Sequence, residues 1–378
     1  MIRSFARFMG QCYKNRSILD VPIWHQVQDF LFFHRETLVA PLEFQLFRLW
    51  DRQRPIEDKL AYLSHEERRQ IEAAVNPVPA VDALNDKKAA AERLRLAGVR
   101  MPRVLGYIET RNSDDIAKDA SDLAAELAQL VGDGLAQGLV IKPNKGLGGK
   151  NVRIFAAANT NGVLRADGSQ LSFAALASEL IGTTVSGWNV EERLTPHPAV
   201  SRFAANSLST LRVLTFRSPE GAILVGPITI KIPVDHNVVD NFGADNLAAP
   251  VHLITGRVGK AVKFNMERNI SQHPTSGVSI DTLTVPDLEL VTQLVTAAAS
   301  EMKELGSLGW DVALTPDGPV ILEGNAWWGQ YLSQMPQGEG IVRGEFAAML
   351  EAYGLGHLLR KRERAATAWK RNQDVQAI

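Results

Sequence analysis

The chain has 378 residues, of which 45% are hydrophobic and 22% charged, enough apolar side chain to offset chain entropy and exclude disorder over most of its length. Lys and Arg number 41 against 42 Asp and Glu, a balance that excludes a strongly basic, nucleic-acid-coating protein. A single cysteine, Cys12, excludes an intrachain disulfide framework and any multi-cysteine metal site. With no apolar run of about 18 residues and no signal-like leader, the expectation is a cytoplasmic protein of two or three packed units.

Residues 1–78 read as a helical region. Within it, Ser64-His65-Glu66-Glu67 is a capping box, and Asn76-Pro77-Val78-Pro79 breaks the pattern as a boundary. A helix is expected over 82–96, stopped by Gly98, with Asn85-Asp86-Lys87-Lys88 near its start. An extended segment opens at Met101, and 114–130 is helical again. Strands follow at 139–142, 152–155, 188–191, 211–216 and 223–225. Pro286 opens a long helix to about Leu305. Two more strands and a final helix from Phe346 complete an α+β chain: a helical front, then two sheets with hairpins and antiparallel pairing.

The most informative segment is 310–325. Thr315-Pro316-Asp317-Gly318 predicts a type I turn in a three-residue hairpin loop with a bulge. Centring the hairpin on Asp317 sets Asp311 opposite Glu323, with Asn325 on the same face. Two carboxylates about 5 Å apart at an effective dielectric near 20 repel by roughly 3 kcal/mol. A hard divalent cation removes that repulsion, and three oxygen donors with open positions suit Mg²⁺ on substrate phosphates. An exposed acidic hairpin with no ligand fits the same residues.

Three further features stand beside it. Lys142-Pro143-Asn144-Lys145-Gly146-Leu147-Gly148-Gly149-Lys150 joins two strands. Its glycines would let backbone N–H groups approach phosphate, with Lys142 at the base. It is neither a Walker loop nor a dinucleotide fingerprint, and a plain hairpin turn also fits. Lys87 and Lys88 open a helix. Asn189-Val190-Glu191-Glu192-Arg193-Leu194 ends a strand with adjacent acids. Each alone also reads as solvated surface.

Together and in this order, these features resemble the ATP-grasp superfamily. Within it the chain resembles the sugar-transfer-associated, alpha-L-glutamate ligase-related group. The stretches that carry the likeness are Lys142-Pro143 with Gly148-Gly149-Lys150, Glu191-Glu192-Arg193-Leu194 with His197-Pro198, Ser209-Thr210-Leu211-Arg212, and Gly309-Trp310-Asp311 with Glu323-Gly324-Asn325. The resemblance implies an ATP-grasp fold, two α+β subdomains gripping ATP, behind the helical region at 1–78. The subdomains would span 79–189, with the glycine-rich lid, and 190–358, with the catalytic residues. A basic tail at 359–378 would follow.

By that resemblance Lys87 and Lys142 are the two lysines that meet ATP phosphates, Gly146, Gly148 and Gly149 form the flap over them, and Lys150 is a further cofactor-binding residue. Glu191, Glu192 and Leu194 form the adenine and ribose hinge. Asp311, Glu323 and Asn325 hold two Mg²⁺, for which Mn²⁺ can substitute. Arg212, with Lys142, faces the transferred phosphoryl group. The implied reaction is ATP-dependent carboxylate–amine ligation through an acyl phosphate, in glycan or secondary-metabolite biosynthesis, on small-molecule carboxylate and amine partners. A kinase making a phosphate ester and a non-catalytic nucleotide-binding regulator remain the alternatives. Acceptor-side candidates are Arg202, Lys231, His236, Trp327, Trp328 and Gln330, with Lys231 and His236 read as flanking Pro233 in a polar loop. The chain departs from the group at 240–246, where Ala244-Asp245 interrupts a glycine pair. The tail from Arg360 carries net +4 and reads as a solvated helix or a contact for an anionic surface. Oligomeric state stays open, and Cys12 reads as inert.

Overall fold

The computed structural model describes residues 2–110, 116–132, 134–146, 150–185, 187–203, 207–234 and 240–376. The helical front comprises α1 (Ile2–Leu19), α2 (Ile23–Thr37), α3 (Pro41–Leu46), α4 (Ile56–Leu60) and α5 (His65–Val75). Ser64 caps α5 as expected: its Oγ accepts from the Glu67 amide at 3.2 Å, and the Glu67 carboxylate accepts from the Ser64 amide at 3.3 Å. The helix expected at 82–96 is instead two, α6 (Val78–Asn85) and α7 (Lys87–Leu96), because Asp86 leaves helical geometry to cap α7.

Next come β1 (Val104–Glu109), α8 (Ile116–Val131), β2 (Leu139–Pro143), β3 (Arg153–Phe155), β4 (Ala157–Asn159), β5 (Gly162–Leu164), β6 (Gln170–Leu171), α9 (Phe173–Ile181) and β7 (Gly187–Glu192). They form a sheet in the order β1-β7-β2-β3, every pair antiparallel, and a small sheet β4-β5-β6. Leu123 and Leu127 of α8 and Leu176 and Leu180 of α9 bury against Ile141 and Val190 of the larger sheet.

The rest of the chain runs α10 (Pro198–Ser201), β8 (Thr210–Arg217), β9 (Ile223–Ile232), β10 (Leu247–Val251), α11 (Leu288–Glu301), β11 (Ser307–Thr315), β12 (Gly318–Asn325), α12 (Gln330–Gln334), α13 (Gly344–Ala352) and α14 (Gly356–Gln376). Its sheet has the order β10-β9-β8-β11-β12, with antiparallel pairing throughout. One of its faces is packed by α11, α6 and α7 through Val291, Val295, Val81, Leu84 and Leu94.

The expected subdomain edges shift accordingly. α6 and α7 belong to the core of the five-stranded sheet, not to the lid. Position 189 falls inside β7, whose pairing with β1 and β2 carries the lid region through Glu192. The helical front is not a separate body either. Phe33, Phe44 and Phe47 share one apolar cluster with Phe242, Ala248, Leu332 and Ala365. Asn76 fastens the boundary to β11: its side chain donates to Ser307 O at 2.9 Å and accepts from Ser307 N at 3.0 Å.

The stretch expected to be a basic tail is α14, which docks on α2 and α4. Ala365 is buried, and Arg362 donates from Nη2 to Glu67 Oε2 at 2.7 Å and from Nε to Leu60 O at 2.8 Å. Trp369 packs edge-on to Phe32 at 4.8 Å. Cys12 is buried in the front, and burial pushes its thiol pKa up, away from the reactive thiolate. Among the described residues no helix is long and apolar enough to cross a membrane.

Lys59 is 2% exposed and lies 4.9 Å from the Trp369 ring. Burial pushes its pKa down to about 8, outweighing the attraction of Asp29. Between pH 8 and about 10.4 the unfolded chain therefore binds more protons at this group, so its penalty on the fold is full below pH 8 and fades as pH rises. Lys59→Met is expected to gain on wild type at pH 7 and to surrender that gain, by at most roughly 3 kcal/mol, by pH 10.5. Urea unfolding at both pH values measures it. A constant difference between the two proteins would contradict the assignment.

Candidate active site

Strand register builds the centre of the site. Glu323 on β12 lies opposite Asp311 on β11, which lies opposite Arg212 on β8. Arg212 faces Thr229 on β9, and Lys231 is two residues along on the same face. A row of charge thus crosses four strands. Arg212 grips Asp311 with both prongs, Nε to Oδ1 at 2.9 Å and Nη2 to Oδ2 at 3.1 Å. Lys231 Nζ stands 3.1 Å from Asp311 Oδ1 and 3.1 Å from Asp240 Oδ1. Asp240 also accepts from the Thr210 amide at 2.9 Å and from the Thr210 hydroxyl. Burial alone would raise the Asp311 pKa, but Arg212 and Lys231 outweigh it and hold the carboxyl down at about 2. Burial instead wins at Asp240, whose pKa is pushed up against the pull of Lys231.

The hairpin itself differs from expectation in one informative way. Its turn is a two-residue one, with Thr315 paired to Gly318, so the distal half is one residue out of the expected register. A bulge at Leu322 restores the expected pairing at Asp311 and Glu323. Asn325 Nδ2 lies 3.5 Å from Asp311 Oδ2 and 3.4 Å from Glu323 Oε1, and Lys87 Nζ lies 3.2 Å from Glu323 Oε2. The acid–acid repulsion anticipated from the sequence is therefore offset by protein cations and an amide.

The four-stranded sheet β1-β7-β2-β3 supplies the opposite wall. Val140, Lys142, Ile154 and Glu191 share one face by register, and Lys142 Nζ is 2.9 Å from Glu191 Oε1. Lys142 also reaches Leu322 O at 3.5 Å, linking the four-stranded sheet to the β11–β12 hairpin. Asn144, next to the glycine loop, clamps the start of α7. Its Oδ1 accepts from Lys88 N at 2.8 Å, its O from Lys87 N at 3.3 Å, and its Nδ2 donates to Asp86 Oδ1 at 3.2 Å. The two lysines are thereby held on one frame.

Between the walls lies a cavity of about 550 Å³. Lys87, Lys142, Glu191, Glu192, Leu194, Arg212, Lys231, Asp311, Glu323, Asn325, Trp327 and Trp328 all border it. Residues 66–347 match the sequence profile of the sugar-transfer associated ATP-grasp family. The chain belongs to this family. Solved structures similar to this ATP-grasp chain include D-alanine–D-alanine ligase from Bacillus anthracis (15% identity, 81% of this chain and 77% of that one, TM-score 0.38). Another is D-alanyl-alanine synthetase A from Vibrio cholerae (14%, 78% and 68%, TM-score 0.40). A third is phosphoribosylamine–glycine ligase from Thermotoga maritima (17%, 77% and 60%, TM-score 0.42). No curated protein matches the chain.

Some expected residues of this ATP-grasp chain stand elsewhere. Gly148, Gly149 and His236 lie outside the described residues. Gly146 borders a smaller space beneath α7, and Lys150 is exposed and borders neither space. Arg202 is exposed, with its guanidinium 5.2 Å from the Phe203 ring, and does not border the cavity. Lys231 is not in a polar loop. It is a strand residue, 6% exposed and ion-paired twice. Trp328 is core, edge-on to Phe216 at 5.7 Å, whereas Trp327 is 47% exposed at the cavity rim. Gln330 is buried and donates to Glu43 Oε1 at 3.0 Å. Sequence reasoning did not single out Asp240 or Asn144. Both sat inside segments already noted, and only their partners mark them.

Among the described residues no group of three or more His, Cys, Asp or Glu is placed to hold a metal. The donor set is two carboxylates and an amide, hard oxygen ligands of the kind Mg²⁺ takes when phosphates complete its shell. These residues fit the ion.

Arg212 keeps its geometry because residue 309 has no side chain. A Cβ there would stand 2.6 Å from Trp328 Cβ and 3.1 Å from Arg212 Nη1. Gly309→Ala is expected to cost about 1–3 kcal/mol of stability and to move Arg212 off Asp311. A urea melt and the variant's crystal structure check both, and an unmoved guanidinium would refute the packing argument.

Proposed function

We propose that the chain is an ATP-dependent carboxylate–amine ligase. The observation that carries this is the convergence of Lys87, Lys142, Glu191, Asp311, Glu323 and Asn325 on one cavity between two sheets. ATP would enter as substrate with its base against Val140, Ile154 and Leu322 at the Glu191–Leu194 hinge. Lys87 and Lys142 would exchange their acid partners for its phosphates. Asp311, Glu323 and Asn325 would hold Mg²⁺, two ions by family resemblance. Bound there, the metal supplies charge neutralisation for the phosphoryl group in transfer. Arg212 and Lys231 would orient the substrate carboxylate.

The reaction has two steps. A carboxylate oxygen attacks the terminal phosphorus, giving an acyl phosphate and ADP. An amine then attacks the acyl carbon and releases inorganic phosphate. The chain's part is positioning and charge balance, the work for which the lysines, arginine and oxygen donors bordering the cavity are suited. Glycan or secondary-metabolite biosynthesis is the context the family name suggests, and a cytoplasmic setting accords with a buried free thiol.

The test uses Mg-ATP, a panel of carboxylic acids and hydroxylamine as the trapping amine. The expected result is stoichiometric ADP, free phosphate and hydroxamate. ADP without free phosphate would mean a kinase. Mg-ATP binding with no turnover on any acid would mean a regulator.

A further inference from the structure

Residues before 66 lie outside the family match, and their surface has a character of its own. Of the large apolar side chains exposed among the described residues, five of twelve, Tyr13, Trp24, Leu31, Leu38 and Leu42, fall between positions 13 and 42. Tyr13 is 68%, Trp24 56% and Leu31 58% exposed. On α2, Trp24, Gln28, Leu31 and Arg35 follow one another at helical spacing and form one outward stripe, opposite the buried Gln26, Asp29 and Phe33. On α1, Met9, Tyr13 and Arg16 stand at the same spacing. The two stripes meet. Met9 and Arg16 of α1 line one surface depression with Pro22, Ile23, Trp24, Val27 and Gln28.

The charge on this face is one-sided. α1 contains no Asp or Glu. Its Arg7, Lys14 and Arg16 are exposed, and among the described residues none of the three has an ion-pair partner. The acids of this stretch are mostly taken up: Asp29 is buried on Arg52 at 2.8 Å, and Glu36 is paired with Arg35 at 2.6 Å. Asp20, between the two helices, is exposed. At the far end of the α2 stripe, Lys361 of α14 donates to Arg35 O at 3.1 Å and adds a further cation. A second copy docked about a two-fold axis would set this face against itself, cation against cation. An anionic bilayer answers both features at once. Its headgroups neutralise Arg and Lys, while indole, phenol and leucine side chains enter the boundary between headgroups and acyl chains.

We propose that α1 and α2 dock the protein on an anionic lipid surface, with Tyr13, Trp24 and Leu31 entering the headgroup region and Arg7, Lys14 and Arg16 facing lipid phosphates. This stands apart from the ligase reading, because none of these residues borders the cavity. The contact lies in the plane of the surface. It also places on α1 and α2 the anionic-surface contact that composition suggests for the tail, since α14 turns Arg362 and Ala365 inward to pack on the front.

Cosedimentation of the full chain with phosphatidylcholine vesicles, plain or carrying about 30% phosphatidylglycerol, tests this. Affinity for the anionic vesicles is expected to exceed that for plain ones roughly tenfold or more, and to fall about tenfold when NaCl rises from about 0.1 to about 0.5 M. Trp24→Ser with Leu31→Ser is expected to weaken binding about tenfold, and Lys14→Glu with Arg16→Glu at least about tenfold. All four side chains are exposed, so circular dichroism melts should match wild type. Arg364→Glu, exposed on α14, should bind as wild type does. Absence of sedimentation with anionic vesicles would overturn the proposal. So would binding untouched by the serine variant, which would leave charge alone as its source. Binding lost in Arg364→Glu and kept in both α1–α2 variants would move the contact to α14 and overturn it equally. A dimer that the serine variant dissolves, without vesicle binding, would make the occupant a second copy instead.

Discussion

Glu323→Ala is expected to abolish ATP-dependent turnover, by roughly 10²–10³-fold or more, while the protein stays folded. Glu323 touches Lys87 at 3.2 Å and the Asn325 amide at 3.4 Å, and its side chain is 30% exposed. Removing it strands no buried charge, since Lys87 is itself 20% exposed and opens onto the cavity. The loss would thus fall on metal and phosphate binding, not on the core. Lys142→Ala should lose activity as fully, but with a measurable stability cost. Glu191 is only 7% exposed and loses its partner at 2.9 Å. ADP release under saturating Mg-ATP, with circular dichroism melts alongside, checks both variants. Full turnover by Glu323→Ala would remove the metal assignment.

Arg362→Ala is expected to destabilise the fold by about 3–5 kcal/mol. Arg362 and Glu67 are 8% and 3% exposed in their side chains and meet at 2.7 Å. Burial already pushes the Glu67 pKa up, and Arg362 is the leading group opposing it. Without the arginine, Glu67 is a buried acid with only the Ser64 cap to answer it, and Leu60 O loses its donor as well. The double variant Arg362→Met with Glu67→Leu is expected to recover most of the loss, since an apolar pair of similar volume avoids desolvating two charges. Urea unfolding of the single and double variants measures it. A single variant within about 0.5 kcal/mol of wild type would show that α14 is not fastened here.

Much of the architecture was legible because local chemistry and global fold agree. Ser64 with Glu67 announces α5, and the Thr315–Gly318 turn announces the β11–β12 hairpin. The pairing of Asp311 with Glu323 was legible even though the loop is one residue shorter than expected. Loop length and bulge are complementary, and Leu322 absorbed the difference. Lys231 was misplaced because a lysine beside a proline reads as loop. Only cross-strand neighbours, Asp311 and Asp240, reveal a strand lysine that is buried. α14 misled for a related reason. A helix rich in Lys and Arg looks solvated from composition, whereas Arg362 is the one that turns inward, and the acid it meets is far away in sequence. β4, β5 and β6, of two or three residues each, are too short for any periodic signal. The ring contacts that join Phe47, Phe242, Phe264 and Tyr331 were invisible because the rings come from four separate segments that no spacing rule connects.

The charge row across the sheet bears on how a ligand would be gained. Lys87 holds Glu323, Lys142 holds Glu191, and Arg212 and Lys231 hold Asp311 and Asp240. Each of these cations already has an acid, so the pairs form a closed ledger with no net charge. A polyanion entering such a place does not neutralise bare cations. It trades places with resident carboxylates, and the net attraction is the difference between two pairings, not between a pairing and water. The displaced acids are then released together to face whatever cation accompanies the newcomer. Anion and metal would thus each prepare the seat of the other, and the two would be bound as one event.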